Sequence, residues 1–268
     1  MRRSLGRTRW PKQQLPGLPE VSHSDTLIRK AASDAGFDIE TGLVEGWLGF
    51  AVSGAPIKAW VRGMDRCLYL SLSSPAVLNE MPGRAADGGP STQSPAGAIS
   101  CATFEELLAA LTRARVLDAT LPDRLHSRWK ERLAQVSATE TEAVVRQRIG
   151  QDLFREGLMD YWEGRCAVTR LDVPELLRAS HAKPWKDATD EERLDVHNGL
   201  LLAVHLDALF DKGLLAFDEL GNGLLSRRLS PETLRLLGLQ GKAFRLARCV
   251  EGHLPYLRYH RENIFRPD

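Results

Sequence analysis

The sequence predicts an α+β protein in which a small N-terminal α+β domain is joined by a helical connector to a C-terminal domain. Short runs of aromatic and β-branched residues, separated by Gly, Pro and Asp, predict strands in the N-terminal part. Apolar residues at steps of three and four predict helices in the middle of the chain. After Gly164 the predicted order becomes strand, loop, strand and helix. These patterns divide the chain at residues 1–24, 25–118, 119–145 and 146–268.

Composition and charge restrict the class of protein. The chain has 268 residues and a formal net charge of +1, from 36 basic and 35 acidic residues, so any DNA-binding surface must come from local asymmetry. The four cysteines are far apart and include no C-x-x-C pair, which excludes a zinc ribbon and favours a reducing, cytoplasmic setting. No run approaches the roughly 20 apolar residues that a membrane-spanning helix needs. We therefore expect no membrane partner.

Residues 1–24 are predicted to form a basic, flexible arm. Five basic residues precede Glu20, the first acidic residue, and prolines interrupt the segment. This composition is typical of an arm that contacts the DNA backbone, and equally of a solvated tail. Both interpretations are open at this point.

Residues 25–118 predict a small α+β domain whose role, recognition or interaction, the sequence leaves open. Residues 82–98 are rich in Gly, Pro and Ser and indicate a loop. Thr103 is a suitable cap for the helix that follows it. The predicted elements are Ser24–Phe37, Gly46–Ser53, Pro56–Gly63, Cys67–Ser73 and Thr103–Ala114, the first and last of them helical. This part of the sequence contains no recognisable catalytic constellation.

Two further helices are predicted at Leu121–Val136 and Thr139–Trp162. In the second, apolar residues from Val144 to Tyr161 recur at helical spacing, which indicates a face that packs in the core. We expect this helix to support the C-terminal domain.

The C-terminal domain is predicted to contain a hairpin packed on a helix. Apolar runs separated by Pro184 and a polar loop indicate the strands. The predicted elements are strands at Arg165–Thr169, Leu176–His181 and Gly199–Val204, and a helix at His205–Phe210. Such a fold would bring His181, Asn198 and Asp207 to one cleft.

These three side chains suit metal-assisted hydrolysis of a phosphodiester bond. A neutral imidazole can take a proton from water near pH 7. A carboxylate holds a hard divalent cation, which neutralises charge on the phosphate and on the leaving oxygen. An amide can orient the base or complete the metal shell. Each residue also has an ordinary structural interpretation: His181 in the core, Asn198 in a turn, and Asp207 in a helix first turn.

Several segments in this order resemble the HNH (ββα-metal) endonucleases, of the variety found in bacterial restriction-type and phage-defence proteins. Each segment is weakly specific, but their order and spacing together are distinctive. The segments are residues 146–155, 164–169, 179–185, 193–202, 206–214 and 259–265.

The resemblance implies a role for each matching residue. His181 matches the general base, Asn198 the central asparagine, and Asp207 the final histidine of the motif, which is a metal ligand. The chain therefore reads His-Asn-Asp, and an aspartate ligand favours Mg²⁺, with Mn²⁺ or Ni²⁺ as alternatives, over zinc. Ser180 stands where many of these nucleases carry another ligand, and serine binds metal poorly.

Other residues near the motif are secondary candidates. Asp211, one helical turn after Asp207, and His205 are alternative metal ligands. Lys183 and Arg193 flank the polar loop and are candidates for contacts to DNA phosphates. His197 is expected to point away from the face that Asn198 presents, as a surface histidine.

The leading hypothesis is a metal-dependent endonuclease that acts on double-stranded DNA, in restriction or anti-phage defence. One alternative is a nucleic-acid-binding module with a decayed HNH domain. Another is a nuclease subunit that a protein partner of a defence system targets to DNA. Because one HNH site per chain cuts one strand, cleavage of a duplex would call for a homodimer or two successive nicks.

Overall fold

The computed structural model describes residues 23–64, 67–82, 84–85, 89–90, 97–134, 142–241 and 243–268. The predicted basic arm lies outside the described residues except for its last two positions, and so does most of the predicted loop at residues 82–98. None of the described helices is long and apolar enough to cross a membrane.

The N-terminal part is a sheet with helices packed against it. The strands are β1 (Ile39–Val44), β2 (Trp47–Ala51), β3 (Lys58–Met64), β4 (Cys67–Leu72), β5 (Arg84–Ala85) and β6 (Ala98–Cys101). Within the described residues they form a six-stranded sheet in the order β1-β2-β3-β4-β6-β5, in which neighbouring strands are antiparallel. The strands predicted at residues 46–53, 56–63 and 67–73 are confirmed as β2, β3 and β4.

Successive side chains along each strand point to opposite faces of the sheet, and this places apolar residues in two separate clusters. Leu48, Val61 and Leu70 lie opposite one another across β2, β3 and β4 and belong to the main core. Trp47 and Trp60, each one residue away, belong to a second, smaller cluster on the other face. This sheet is therefore covered by apolar side chains on both faces.

Helices α1 (His23–Asp34), α2 (Pro75–Asn79) and α3 (Phe104–Thr120) belong to the N-terminal part. The expected cap of α3 is confirmed, because the Thr103 hydroxyl accepts a hydrogen bond from the Glu106 N–H at 3.1 Å. The helix continues six residues beyond its predicted end at Ala114, since Leu117 is buried and extends the apolar face.

The middle of the chain forms α4 (Pro122–Ala134) and α5 (Glu142–Tyr161), which confirms the two helices predicted there. The predicted core-facing stripe of α5 is confirmed where side chains are described: Leu153, Phe154 and Leu158 are fully buried. Phe154 and Leu158 lie directly against Gly199, so α5 packs against the predicted hairpin of the C-terminal domain.

The strand predicted at Arg165–Thr169 is wrong. This segment is a tight turn, in which the Arg170 N–H donates to the Cys166 carbonyl at 3.1 Å. The buried Cys166 sulfur also accepts the N–H groups of Val168 and Thr169. These local hydrogen bonds replace the pairing that a strand would have made.

The predicted hairpin and helix of the C-terminal domain are confirmed. Strand β7 (Leu177–His181) pairs antiparallel with β8 (Gly199–Ala203), so that His181 lies opposite Gly199. Helix α7 (Val204–Asp211) packs on this hairpin. A short helix, α6 (Asp190–Arg193), lies in the loop between the strands.

The rest of the C-terminal domain closes over α7. Its elements are β9 (Leu215–Phe217), β10 (Gly223–Leu225), α8 (Pro231–Leu236) and α9 (Leu254–Asn263). The final segment passes so close to Gly213 that an added Cβ would lie 2.1 Å from the Ile264 carbonyl oxygen. Gly213 also has a φ of +68°, which disfavours other residues. This contact brings Arg266 beside the end of α7.

Candidate active site

A cavity of about 600 Å³ lies where β7 ends and where α7 and the C-terminal segment approach it. His181, Asp207 and Asp211 line this cavity together, although they come from a strand and a helix. Polar groups contribute most of its described wall. The other lining residues are Ala179, Ser180, Pro184, Trp185, Lys186, Lys212, His260, Glu262, Asn263, Ile264, Phe265 and Arg266.

The His181 ring is held from two sides. It stacks on Phe154, with ring centroids 3.7 Å apart and planes within 10°, and it meets the edge of Trp185 at 5.8 Å. The stacking requires Gly199 on the opposite strand, because a Cβ there would lie 2.4 Å from the Phe154 ring. The ring therefore has one well-defined orientation at the end of β7.

The protonation of His181 follows from its hydrogen bond. Its Nε2 lies 2.9 Å from the Arg193 carbonyl oxygen, which can accept but not donate, so Nε2 carries the proton. The lone pair is then on Nδ1. Burial lowers the pKa of His181 to about 4, and the ring is therefore neutral at pH 7. This arrangement is suitable for a general base.

Oxygen donors lie on the other side of the cavity. The Ser180 hydroxyl donates a hydrogen bond to Asp207 Oδ1. Asp211 lies one helical turn after Asp207 on α7. Burial, and then the negative charge of Asp207, raise the pKa of Asp211. The two carboxylates therefore repel each other, and a cation between them would relieve that repulsion.

Asn198 lies behind the cavity and does not line it. Its buried amide donates to the carbonyl oxygens of Lys183 at 3.2 Å and Glu192 at 2.9 Å, and its Oδ1 accepts the Lys183 N–H at 2.8 Å. Of the three side chains expected to meet in one cleft, His181 and Asp207 line the cavity, whereas Asn198 binds the loop. Its catalytic role stays a prediction, and its contacts are those of a residue that holds the loop in place.

Residues 166–218 match the HNH endonuclease family. This region is an HNH endonuclease domain. The match includes the hairpin β7–β8 and helix α7, and with them His181 and Asp207. It suggests nuclease activity on a nucleic acid, and HNH nucleases generally use divalent metals. No curated protein matches the chain.

The donor atoms of the HNH domain fit a hard divalent cation. Two carboxylates and a hydroxyl supply oxygen, and His181 Nδ1 supplies one nitrogen. Across the residues that the structure describes, however, no group of three or more His, Cys, Asp and Glu side chains is close enough to hold a metal. Water and phosphate oxygens would therefore have to complete the coordination of the ion.

The remaining predicted site residues lie outside the cavity. Lys183 is ion-paired with Glu192 at 2.6 Å, and Arg193 with Asp190 at 2.7 Å. His205 is partly buried near the start of α7 and does not line the cavity. The roles predicted for these three residues, as phosphate contacts and metal ligand, stay predictions.

Sequence reasoning missed three basic residues on the wall of the cavity. Lys186, Lys212 and Arg266 line it, and none of them makes an ion pair with another described residue. Lys186 and Lys212 each lie close in sequence to a predicted site residue, which is a signal that could have identified them. Arg266 reaches the cavity through the C-terminal segment, and no local pattern indicates that approach.

Proposed function

We propose that this protein is a metal-dependent DNA endonuclease in which His181 is the general base and Asp207 a metal ligand. The observation that carries this proposal is the shared cavity, in which a neutral imidazole with its lone pair on Nδ1 lies alongside two carboxylates. Membership of the segment in the HNH endonuclease family supports the class of reaction.

The proposed reaction is hydrolysis of a phosphodiester. Water gives a proton to His181 Nδ1 while its oxygen forms a bond to phosphorus, and the bond from phosphorus to the 3′ oxygen breaks. The departing oxygen takes up a proton, which leaves 3′-hydroxyl and 5′-phosphate ends. A bound divalent cation supplies neutralisation of the charge on the phosphate and the leaving oxygen.

The protein orients the base for this step. The imidazolium that forms keeps its Nε2–H hydrogen bond to the Arg193 carbonyl, which favours the charged ring. Stacking on Phe154 prevents the ring from turning away. The low pKa of His181 makes it a weak base, so the negative phosphate and the carboxylates must raise its affinity for the proton during the reaction.

The basic residues of the wall support a nucleic-acid substrate. Lys186, Lys212 and Arg266 surround the cavity, although the whole chain carries a formal charge of only +1. A phosphate that enters the cavity could therefore contact three basic side chains, which balance the three acidic side chains of the lining, Asp207, Asp211 and Glu262. We propose Mg²⁺ as the cation, because most donors are oxygen, with Mn²⁺ and Ni²⁺ as alternatives. A role in restriction or anti-phage defence rests on the sequence resemblance.

A plasmid assay tests this proposal. Supercoiled double-stranded DNA, modified and unmodified, is incubated with the full chain and Mg²⁺, Mn²⁺, Ni²⁺, Zn²⁺ or EDTA. We expect nicked or linear products with Mg²⁺ or Mn²⁺ and none with EDTA. Cleavage that persists in EDTA would contradict the role of a metal. Retention of DNA on a gel without cleavage under every metal would favour the alternative of a decayed nuclease.

A further inference from the structure

A buried polar cluster lies behind the loop that follows β7, away from the cavity. Its central residue is His197, whose Nε2 is 2.9 Å from Glu80 Oε1 and whose Nδ1 is 3.0 Å from Asp195 Oδ1. Glu80 follows α2 in the N-terminal part, and it is separated from His197 by 117 positions in the sequence. The expectation of a surface histidine is therefore wrong, because only 14% of the His197 side chain is exposed.

The hydrogen bonds of the cluster set the charge of His197. Carboxylates at neutral pH accept hydrogen bonds and do not donate them, so both ring nitrogens carry protons. Glu80 and Asp195 outweigh the effect of burial and raise the pKa of His197 to about 9. Each carboxylate also accepts a hydrogen bond from a tyrosine hydroxyl: Tyr161 donates to Glu80 at 2.8 Å, and Tyr256 donates to Asp195 at 2.8 Å. The ring is thus held as a cation between two anions.

This cation adjoins the residue that fixes the loop behind the base. His197 precedes Asn198, whose side chain binds the backbone of Lys183 and Glu192 and whose carbonyl accepts the Ala182 N–H at 2.9 Å. The loop in turn supplies the Arg193 carbonyl that receives His181 Nε2–H. A continuous series of contacts therefore runs from Glu80 to the imidazole in the cavity.

We propose that Glu80 is a positioning residue for His181, and that it acts through His197 and Asn198 to fix the loop that orients the base. The effect on catalysis rests on the proposed function, whereas the effect on the loop does not. In this proposal the N-terminal part holds the nuclease site in its working geometry from outside the segment that matches the HNH family.

Steady-state kinetics of plasmid nicking by variants of Glu80 test this proposal. Glu80→Ala removes the anion, and Glu40→Ala is the matched control, since Glu40 pairs with Arg29 at the surface of the same part. We expect Glu80→Ala to lower kcat for plasmid nicking at least about tenfold and to change KM less than about twofold, because orientation of the base matters in the reacting complex. Glu80→Gln keeps an oxygen that accepts the His197 Nε2–H and should restore part of the rate.

A double variant separates positioning from general damage. If Glu80 acts through His197, then Glu80→Ala combined with His197→Gln should nick no more slowly than the slower of the two single variants. Circular dichroism melts confirm that each variant is folded at the assay temperature. Wild-type kcat in folded Glu80→Ala, or full additivity in the double variant, would overturn the proposal.

Hydrogen exchange measured by mass spectrometry gives a readout that needs no activity. We expect faster exchange of the Ala182 and Lys183 amides in Glu80→Ala and wild-type exchange in Glu40→Ala, because these amides bond to Asn198. If the wild-type protein nicks no DNA but the loop loosens as expected, the positioning of the loop stands and the proposed function fails. Unchanged exchange in folded Glu80→Ala would overturn the positioning itself.

Discussion

His181 and His197 lie on opposite sides of one loop, and their surroundings shift their pKa values in opposite directions. Both rings are largely removed from water, and both make hydrogen bonds to oxygen. His181 meets one neutral carbonyl, and burial lowers its pKa to about 4. His197 meets two carboxylates, which raise its pKa to about 9. Burial therefore keeps His181 neutral, whereas for His197 the two carboxylates outweigh burial and keep the ring charged.

This difference divides the loop into a reactive side and a supporting side. The neutral ring faces the cavity, where a lone pair can accept a proton. The charged ring lies between Glu80 of the N-terminal part and Asp195 of the loop, and these two anions hold it in place. Variants on the two sides should therefore differ in kind: loss of chemistry on one, loss of stability and orientation on the other.

The largest expected effect is on the reactive side. Removal of the base in His181→Ala should slow Mg²⁺- or Mn²⁺-dependent plasmid nicking about 10²- to 10⁴-fold, the usual contribution of a general base. His126→Ala is the matched control, since His126 lies on α4 beside Trp129 and not at the cavity. Initial rates of plasmid nicking measure the effect. Undiminished nicking by folded His181→Ala would remove His181 from the mechanism.

The next effect concerns the oxygen donors. Asp207→Asn should lower the nicking rate roughly a hundredfold at limiting Mg²⁺, and Asp211→Asn roughly tenfold, because an amide binds the cation more weakly than a carboxylate. His205→Ala tests the ligand role predicted for His205: a lower rate would support that role, and an unchanged rate would agree with the position of His205 outside the cavity. Titration of the rate with Mg²⁺ measures each effect, and Asp172→Asn, at an exposed ion pair with Arg165, is the control. A rate in Asp207→Asn equal to that of the control would contradict the ligand role.

Substitution of the three basic residues that line the cavity should change the affinity for DNA more than the rate of the chemical step. Lys186→Gln, Lys212→Gln and Arg266→Gln should each reduce the slope of log Kd against log salt by about one, because each removes one phosphate contact. Fluorescence anisotropy with duplex DNA in EDTA measures the slope. Lys30→Gln is the control, because Lys30 pairs with Asp34 on α1. If all three variants have the same slope as the control, DNA does not contact these three residues.

On the supporting side the expected effect appears in stability. The pKa of His197 is raised from 6.5 to about 9 in the folded state, so its contribution is complete below pH 6.5 and is lost as the pH rises to about 9. The wild-type free energy of unfolding should fall by on the order of 3 kcal/mol over that interval. His197→Gln cannot titrate and should reduce this fall. Urea unfolding at several pH values measures it, and equal falls in both proteins would contradict the charge assigned to His197.

The elements with strong local signals were predictable from the sequence. Turn residues such as Pro184 and Asn198-Gly199 delimit the two strands of the hairpin, and apolar spacing identifies α5 and α7. The turn at Arg165–Thr169 was not, because a short run of small and apolar residues is equally typical of a strand. Its conformation depends on hydrogen bonds to the Cys166 sulfur, which a pattern of hydrophobicity does not contain.

The site was predictable only in part, for a similar reason. His181 and Asp207 lie within the motif that resembles the HNH family, and the fold brings them to one cavity. Arg266 and Glu80 reach the site or its supporting loop through tertiary contacts from distant segments. A single sequence carries no signal for such contacts, because neither residue forms a local pattern with the motif. The sequence predicted that Asn198 faces the same cleft as His181. In the structure its buried amide instead donates hydrogen bonds to backbone carbonyl groups of the loop.

The contrast between the two imidazoles can be measured directly by NMR of ¹⁵N-histidine-labelled protein over a pH titration. At pH 7 we expect His181 to carry one proton, on Nε2, and His197 to carry protons on both nitrogens. We expect His181 to titrate well below pH 6.5 and His197 well above it. A His181 ring protonated on Nδ1, or two rings that titrate together near pH 6.5, would contradict the charges assigned to the two rings.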